Sequence, residues 1–218
     1  MTRTFLVIVG LSLAGAELAE AQIIEAPRSL GEPLAWTSLS IGWLRHQALS
    51  DPESGAQWDF GDAPQWRGSL EMPIGRGATI GVAATTARVP LIYNGSLTGM
   101  NSCTRCDADA NITQYMGNVH IGGGGGFHQV IDLSAGMTVF SNFRRTDGSP
   151  LGPGPAVSDF SFAVGYGFGY SFSPRMQIML LQDYGLVIHK RQSGQSTRTA
   201  QQSTLRVGGR FGLGDSRR

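Results

Sequence analysis

Residues 159–176 read DFSFAVGYGFGYSFSPRM. From Phe160 to Phe172 every second position is aromatic or Val, and the positions between are Gly, Ala or Ser. A period of two marks a β-strand whose two faces meet different surroundings. Phe160, Phe162, Val164, Tyr166, Phe168, Tyr170 and Phe172 form one face, and Ser161, Ala163, Gly165, Gly167, Gly169 and Ser171 the other. Pro174 cannot continue a central ladder, so SPR (173–175) is expected to close the strand in a turn.

The same alternation recurs along the chain and gives eight segments. The first covers residues 35–47, with Leu39, Ile41 and Trp43 opposite Ser38, Ser40 and Gly42. The second covers 65–74, where Trp66, Leu70 and Met72 alternate with Arg67, Ser69 and Glu71. The third runs from Ala78 to Tyr93. Its apolar set starts on even positions (Ile80, Val82) and ends on odd ones (Val89, Leu91, Tyr93), which predicts a β-bulge near Thr85–Ala87. The fourth spans Asn111–Phe127, the fifth Ile131–Phe143, and the sixth is the opening stretch. The seventh spans Met176–Lys190, and the eighth is STLRVGGRFGL, ending at Leu213. The connections alternate in length: short at 74–77, 127–130 and 173–175, long at 48–64, 94–110, 144–157 and 191–198.

Composition narrows the class. The chain has 218 residues, a net charge of +1 and only 15% charged residues. A soluble domain usually carries about 25% charged residues, and a near-neutral chain offers no electrostatic case for binding nucleic acid. Residues 1–21 have the form of a cleavable signal peptide: Arg3, the apolar run FLVIVGLSLAG, and AEA at 19–21. Residues 22–34 read as a lead-in, 35–213 as one β domain, and 214–218 as a tail. Cys103 and Cys106, the only cysteines, are expected to form a local disulfide in an exported chain.

The polar faces are mostly Gly, Ser, Thr and Ala, too poor in charge for the exterior of a soluble barrel. The apolar faces are bulky and aromatic. Small residues inside and bulky ones outside suit a narrow eight-stranded barrel. In lipid, only a closed barrel of strands pairs every backbone group without helices. The expected fold is therefore all-β: an eight-stranded antiparallel up-and-down transmembrane β-barrel behind a signal peptide. Phe160 to Phe172 would face lipid. Arg67, Glu71, Asp132, Asp159, Asp183, Arg206 and Arg210 share the inward side, and burial predicts a lumenal ion-pair network among Arg67, Glu71, Asp132, Asp183, Arg206 and Arg210. Such a network either gates a polar pathway or plugs the bore, and a narrow barrel favours the plug.

In signal peptide, strand number and alternating turns and loops, the chain resembles the small outer-membrane β-barrel proteins of the OmpA-like and OmpX-like kind. The resemblance implies a monomer in the bacterial outer membrane, in contact with its lipid and with the barrel-assembly machinery during insertion. LRVGGRFGL (205–213) is similar to the C-terminal strand that this machinery recognises. It also implies termini and short turns on the periplasmic side and long loops outside. Trp36, Tyr170 and Phe172 would then form the periplasmic aromatic girdle, with Trp66, Tyr93 and Tyr184 higher.

No catalytic, cofactor or metal motif stands out. His46, His120, His128 and His189 lie on different segments and select no Ser–His–acid trio. Gly122–Gly126 lacks the Lys and Ser/Thr of a phosphate loop and is read as a tightly coiled part of the fourth strand. The expected function is non-enzymatic: a structural or surface-interaction role through four outer loops. The alternatives are a narrow pore for ions or small solutes, or a soluble lipocalin-like binder of an apolar ligand.

Overall fold

The long strands pair in a circle and leave no sheet edge. The computed structural model describes residues 33–50, 56–75, 77–95, 104–151, 156–189 and 198–214. The expected signal peptide lies outside them. The strands are β1 (Ala35–His46), β2 (Leu49–Ser50), β3 (Gln57–Phe60), β4 (Ala63–Gly75), β5 (Ala78–Asn94), β6 (Cys106–Ile121), β7 (Gly126–Arg145), β8 (Ala156–Ser173), β9 (Met176–His189) and β10 (Arg198–Leu213). Eight of them follow one another around the barrel, and β10 returns to pair with β1. The short β2 and β3 extend the sheet from the far end of β5, beyond the barrel proper.

The ladder fixes the strand tilt. Trp36 pairs with Glu71, Glu71 with Gly81, and the row continues through Asn118, Ser134, Ala163, Gly185 and Gln202 to His46. The circuit starts and ends ten residues apart on β1. Strands are therefore steeply tilted around a narrow bore. One row leaves Trp43 near the long-loop end of β1 and passes Leu205, Gln182, Tyr166 and Ile131 to Ile121 beside a short turn.

The alternation of the opening stretch is that of β8. Phe160, Phe162, Val164, Tyr166, Phe168, Tyr170 and Phe172 all point outward, 38% to 61% exposed. With Leu39, Ile41, Trp43, Trp66, Leu70, Val82, Tyr115, Leu133, Leu180, Tyr184, Leu205 and Val207 they make an apolar belt around the barrel. Exposed ion pairs border it at the long-loop end: Arg45–Asp62 at 3.0 Å and Arg88–Asp109 at 2.9 Å. An apolar surface this continuous marks contact with a non-aqueous medium or a partner.

Four expectations need correction. The bulge expected at Thr85–Ala87 is absent: β5 pairs without a slip from Ala78 to Tyr93. Val89, Leu91 and Tyr93 stay on the inward face, 0%, 1% and 6% exposed. The apolar positions change parity because the chemistry of the interior changes along the barrel, while the strand stays regular. A bulge does occur in β7, where Asn142 adopts φ 54° and the register to β6 shifts. Asn tolerates that conformation better than most residues. Phe140 and Phe143 both turn inward across it.

Two girdle residues also face the other way. Tyr93 is inward, as above, and Trp36 is inward and 7% exposed. Trp36 shares the parity of Ser38 and Ser40, so the ladder carries it inside. Finally, the turn expected at Phe127–Val130 lies at Gly122–Gly125, and the glycine run is that turn rather than a coiled strand. Gly122, Gly123, Gly124 and Gly126 all have positive φ. A Cβ on Gly122 would also stand 2.6 Å from the Gln129 carbonyl oxygen. Gly is the residue that takes such a path without strain.

Candidate functional site in the barrel lumen

The lumen is built in layers. Nearest the short turns, Glu71 on β4 accepts from Arg210 Nη2 on β10 at 2.7 Å. Its second oxygen accepts from Ser69 Oγ at 2.6 Å and Asn118 Nδ2 at 3.2 Å. Thr79 Oγ1 donates to Glu71 at 2.7 Å and accepts from Arg210 at 2.7 Å. The Trp36 ring covers the guanidinium, 4.4 Å from centroid to Cζ. A cation over an indole face is attracted by the ring quadrupole, which gives the inward Trp36 its physical role.

The next layer centres on Arg206. Its Nε donates to Asp183 Oδ2 at 2.6 Å, and its Nη2 reaches both Asp183 and Asp132. His120 Nδ1 donates to the other oxygen of Asp132 at 2.6 Å. The register explains the convergence: Gly165 pairs with Asp132 on one side and Asp183 on the other. A Cβ on Gly165 would collide with Asp183 Oδ1 and lie 3.3 Å from Asp132 Cβ. The glycine in the opening stretch therefore makes room for two carboxylates and the arginine that joins them.

Arg67 faces the same lumen but makes no ion pair among the described contacts; its Nη2 donates to Asn118 Oδ1 at 2.6 Å. Asn118 thus links Arg67 to Glu71. Of the six expected network residues, Asp132, Asp183 and Arg206 form one group, Glu71 and Arg210 a second, and Arg67 adjoins through an amide. Their formal charges balance, three cations against three carboxylates.

Above lies a neutral layer. Gln114 accepts from Thr85 at 3.0 Å and donates to Thr138 at 3.0 Å and Gln202 at 3.1 Å. Thr138 in turn donates to Ser161 at 2.8 Å. A void of about 20 Å³ remains beside Gln65, Arg67, Gln114, Asp183 and Gln202. That is close to the space one water occupies.

The long-loop end is closed by apolar side chains. Leu44, Phe60, Val89, Leu91, Ile112, Phe140, Phe143, Leu151 and Val187 pack together, with Trp58 and Leu49 against them. Phe60, Trp58 and Leu49 belong to the first long connection, so β2 and β3 fold back as a cap. Each large apolar side chain buried this way contributes about 1.5–3 kcal/mol. His46, at the last position of β1, lies in this plug with ring centroids 4.9 Å from Phe60 and 5.6 Å from Phe140. Its Nδ1 is 2.8 Å from the Gln47 carbonyl, and its buried Nε2 has no partner among the described residues. Asp159 and His189, 2.8 Å apart, form a further pair at this end.

Sequence reasoning missed Asn118, Ser69, Thr79 and Gln114, because neutral polar residues on a small-residue face carry no marking. It missed the plug for a different reason. The change of parity at Val89, Leu91 and Tyr93 fits a bulge as well as it fits an unbroken strand with an apolar inner end, and only the ladder distinguishes them. Cys106 opens β6 and is disulfide-bonded, while Cys103 lies outside the described residues. His128 bonds locally, with Nδ1 3.0 Å from the Gly126 carbonyl.

A closed, antiparallel eight-stranded barrel with an apolar belt and a polar, filled interior is the fold of the small outer-membrane β-barrels. The solved structure of Neisserial surface protein A matches with a TM-score of 0.56 over 82% of this chain and 97% of that one, at 11% identity. The attachment invasion locus protein Ail of Yersinia pestis (TM-score 0.41, 18% identity, 81% and 99% covered) and the outer membrane protease OmpT of Escherichia coli (0.42, 10%, 82% and 96%) also align. No protein-family model and no curated protein matches the chain. The likeness defines the fold, and identities this low transfer no activity.

One outcome follows from this geometry. Arg206→Met removes the guanidinium that joins buried Asp132 to part-buried Asp183 and is expected to cost about 3–5 kcal/mol, whereas Arg88→Ala at an exposed pair costs about 0–1 kcal/mol; urea unfolding in detergent micelles measures both.

Proposed function

We propose that the chain is a non-enzymatic barrel of the bacterial outer membrane, seated in lipid by its apolar belt, that serves as a rigid support for its long outer loops in a structural or surface-interaction role. The observation that carries this reading is the filled lumen. Charged layers close the bore toward the short turns, and an apolar plug closes it toward the loops. A barrel packed like a protein interior has no continuous aqueous path, which argues against the pore. The bulky belt on the outside, with the polar groups bonded inside, argues against a soluble binder of an apolar ligand. The His120–Asp132 pair is not an exposed catalytic dyad either, since Asp132 is committed to Arg206 and His120 is 1% exposed. Short turns inside and long loops outside follow the orientation of such barrels.

Conductance tests this reading. The purified chain inserted into a planar bilayer should give no stable openings of nanosiemens scale. Stable openings from the wild-type chain would overturn the sealed barrel and favour the pore.

A further inference from the structure

Among the described residues, one amide stands in the interior of the outward belt. Gln182 on β9 has the outward parity, with Ile178 and Leu180 toward the short turns and Tyr184 and Leu186 toward the loops. Other outward amides and charges, such as Gln129, Asn111, Gln201, Arg45 and Arg88, stand at one border of the belt or the other. The ladder partners of Gln182 are Leu205 on β10 and Tyr166 on β8. Tyr166 is itself at the middle of its strand, with Phe160, Phe162 and Val164 on one side and Phe168, Tyr170 and Phe172 on the other. Tyrosines of membrane proteins concentrate at the two interfaces. Here a phenol and an amide stand side by side at mid-depth.

The chain leaves both groups short of partners. Gln182 Nε2 donates to the adjacent Asp183 carbonyl at 3.3 Å, a long bond that uses one of its two N–H groups. The Gln182 side-chain carbonyl and the Tyr166 hydroxyl have no hydrogen-bond partner among the described residues. An amide carries two donors and an oxygen with two lone pairs. In hydrocarbon no water satisfies the remainder, and polar side chains there bond across transmembrane interfaces. Nothing in the lumen needs an amide at this position, because the side chain lies on the outer face. Symmetry selects the partner. Two copies inserted in the same direction are related by a two-fold axis along the membrane normal, so a residue beside the axis meets its own counterpart at the same depth. A charged group would meet its like. An amide is self-complementary, since each copy offers the donor and the acceptor that the other lacks.

We propose that the chain forms a two-fold lateral pair in the membrane through the face of β8, β9 and β10, with the two Gln182 amides bonded to each other at mid-depth and the Tyr166 hydroxyls beside them. Leu180 and Leu205 flank the amide and supply apolar contact around it. The inference rests on the membrane reading above, and it sets a pair in place of the monomer that the family resemblance implies.

Energy transfer between full-length chains labelled at the amino terminus and reconstituted in phosphatidylcholine–phosphatidylglycerol vesicles tests it. Wild type should show transfer above that of random encounter, falling as protein is diluted in lipid. Gln182→Leu should weaken the association about tenfold, and Tyr166→Phe less. Tyr115→Phe, on β6 away from this face, should leave it unchanged. Gln182→Cys should give a covalent dimer on oxidation, and Val82→Cys, outward on β5 across the barrel, should not. Transfer at the random level for wild type, equal association of Gln182→Leu and wild type, or equal cross-linking at both cysteines would overturn the pair. Urea unfolding in micelles guards against a folding defect: Gln182→Leu should be at least as stable as wild type, because it removes a polar group from the belt. A marked loss of stability would assign the amide to the barrel itself and overturn the proposal. A chain that fails to float with the vesicles on a density gradient would overturn the membrane reading, whatever its state of association.

Discussion

Closure of the hydrogen-bonded circuit is the constraint on which the rest depends. Seated in lipid, as proposed, the apolar belt has no water with which to satisfy a backbone donor or acceptor, so every barrel strand needs two neighbours. The β10–β1 pairing supplies the last of these ladders over the whole of β1. The ten-residue offset with which the circuit closes then sets the tilt, the bore and which residues share a height. Little about the interior is free once that offset is set.

The narrow bore makes the inward face a packing problem. Glycine, serine and alanine on β8 are the space in which larger groups from other strands meet, and Gly165 between Asp132 and Asp183 shows this most directly. Charges there are tolerated because Glu71, Asp132 and Asp183 are each bonded by a guanidinium and Asp159 by the His189 ring. A buried charge without such a partner costs several kcal/mol. Where the strands rise past the belt the same inward positions turn apolar, and β2 and β3 return to cover them. Polar below and apolar above, the lumen is closed by two different kinds of chemistry.

Much of this was legible in the sequence. The period of two, plainest in β8 and recurring in eight segments, carries the faces, the strand count and the inward charges, because alternation is enforced by the pleat and survives any detail of packing. The partners of those charges were less legible. Arg206 and Asp183 lie on neighbouring strands, but Glu71 and Arg210 meet across β1, and only the ladder offset places them together. The outward expectation for Trp36 rests on residue type, although its parity puts it inside, and that for Tyr93 rests on the bulge at Thr85–Ala87, which the regular β5–β6 ladder lacks. The glycine run was assigned to a strand, although its backbone takes positive φ and makes the turn. In each case position along the ladder decided the outcome over composition.

The four tryptophans offer the most direct test of the inward and outward assignment. Trp43 and Trp66 point outward, 51% and 52% exposed, Trp36 is buried against Arg210, and Trp58 packs on the plug. The measurement is fluorescence of single-tryptophan variants reconstituted in vesicles, quenched in turn by bromine on the lipid acyl chains and by aqueous acrylamide. The account predicts that Trp43 and Trp66 are quenched by brominated lipid and that Trp36 is shielded from both quenchers. Quenching of Trp36 by lipid as strongly as Trp66, or by acrylamide as in an open channel, would contradict it.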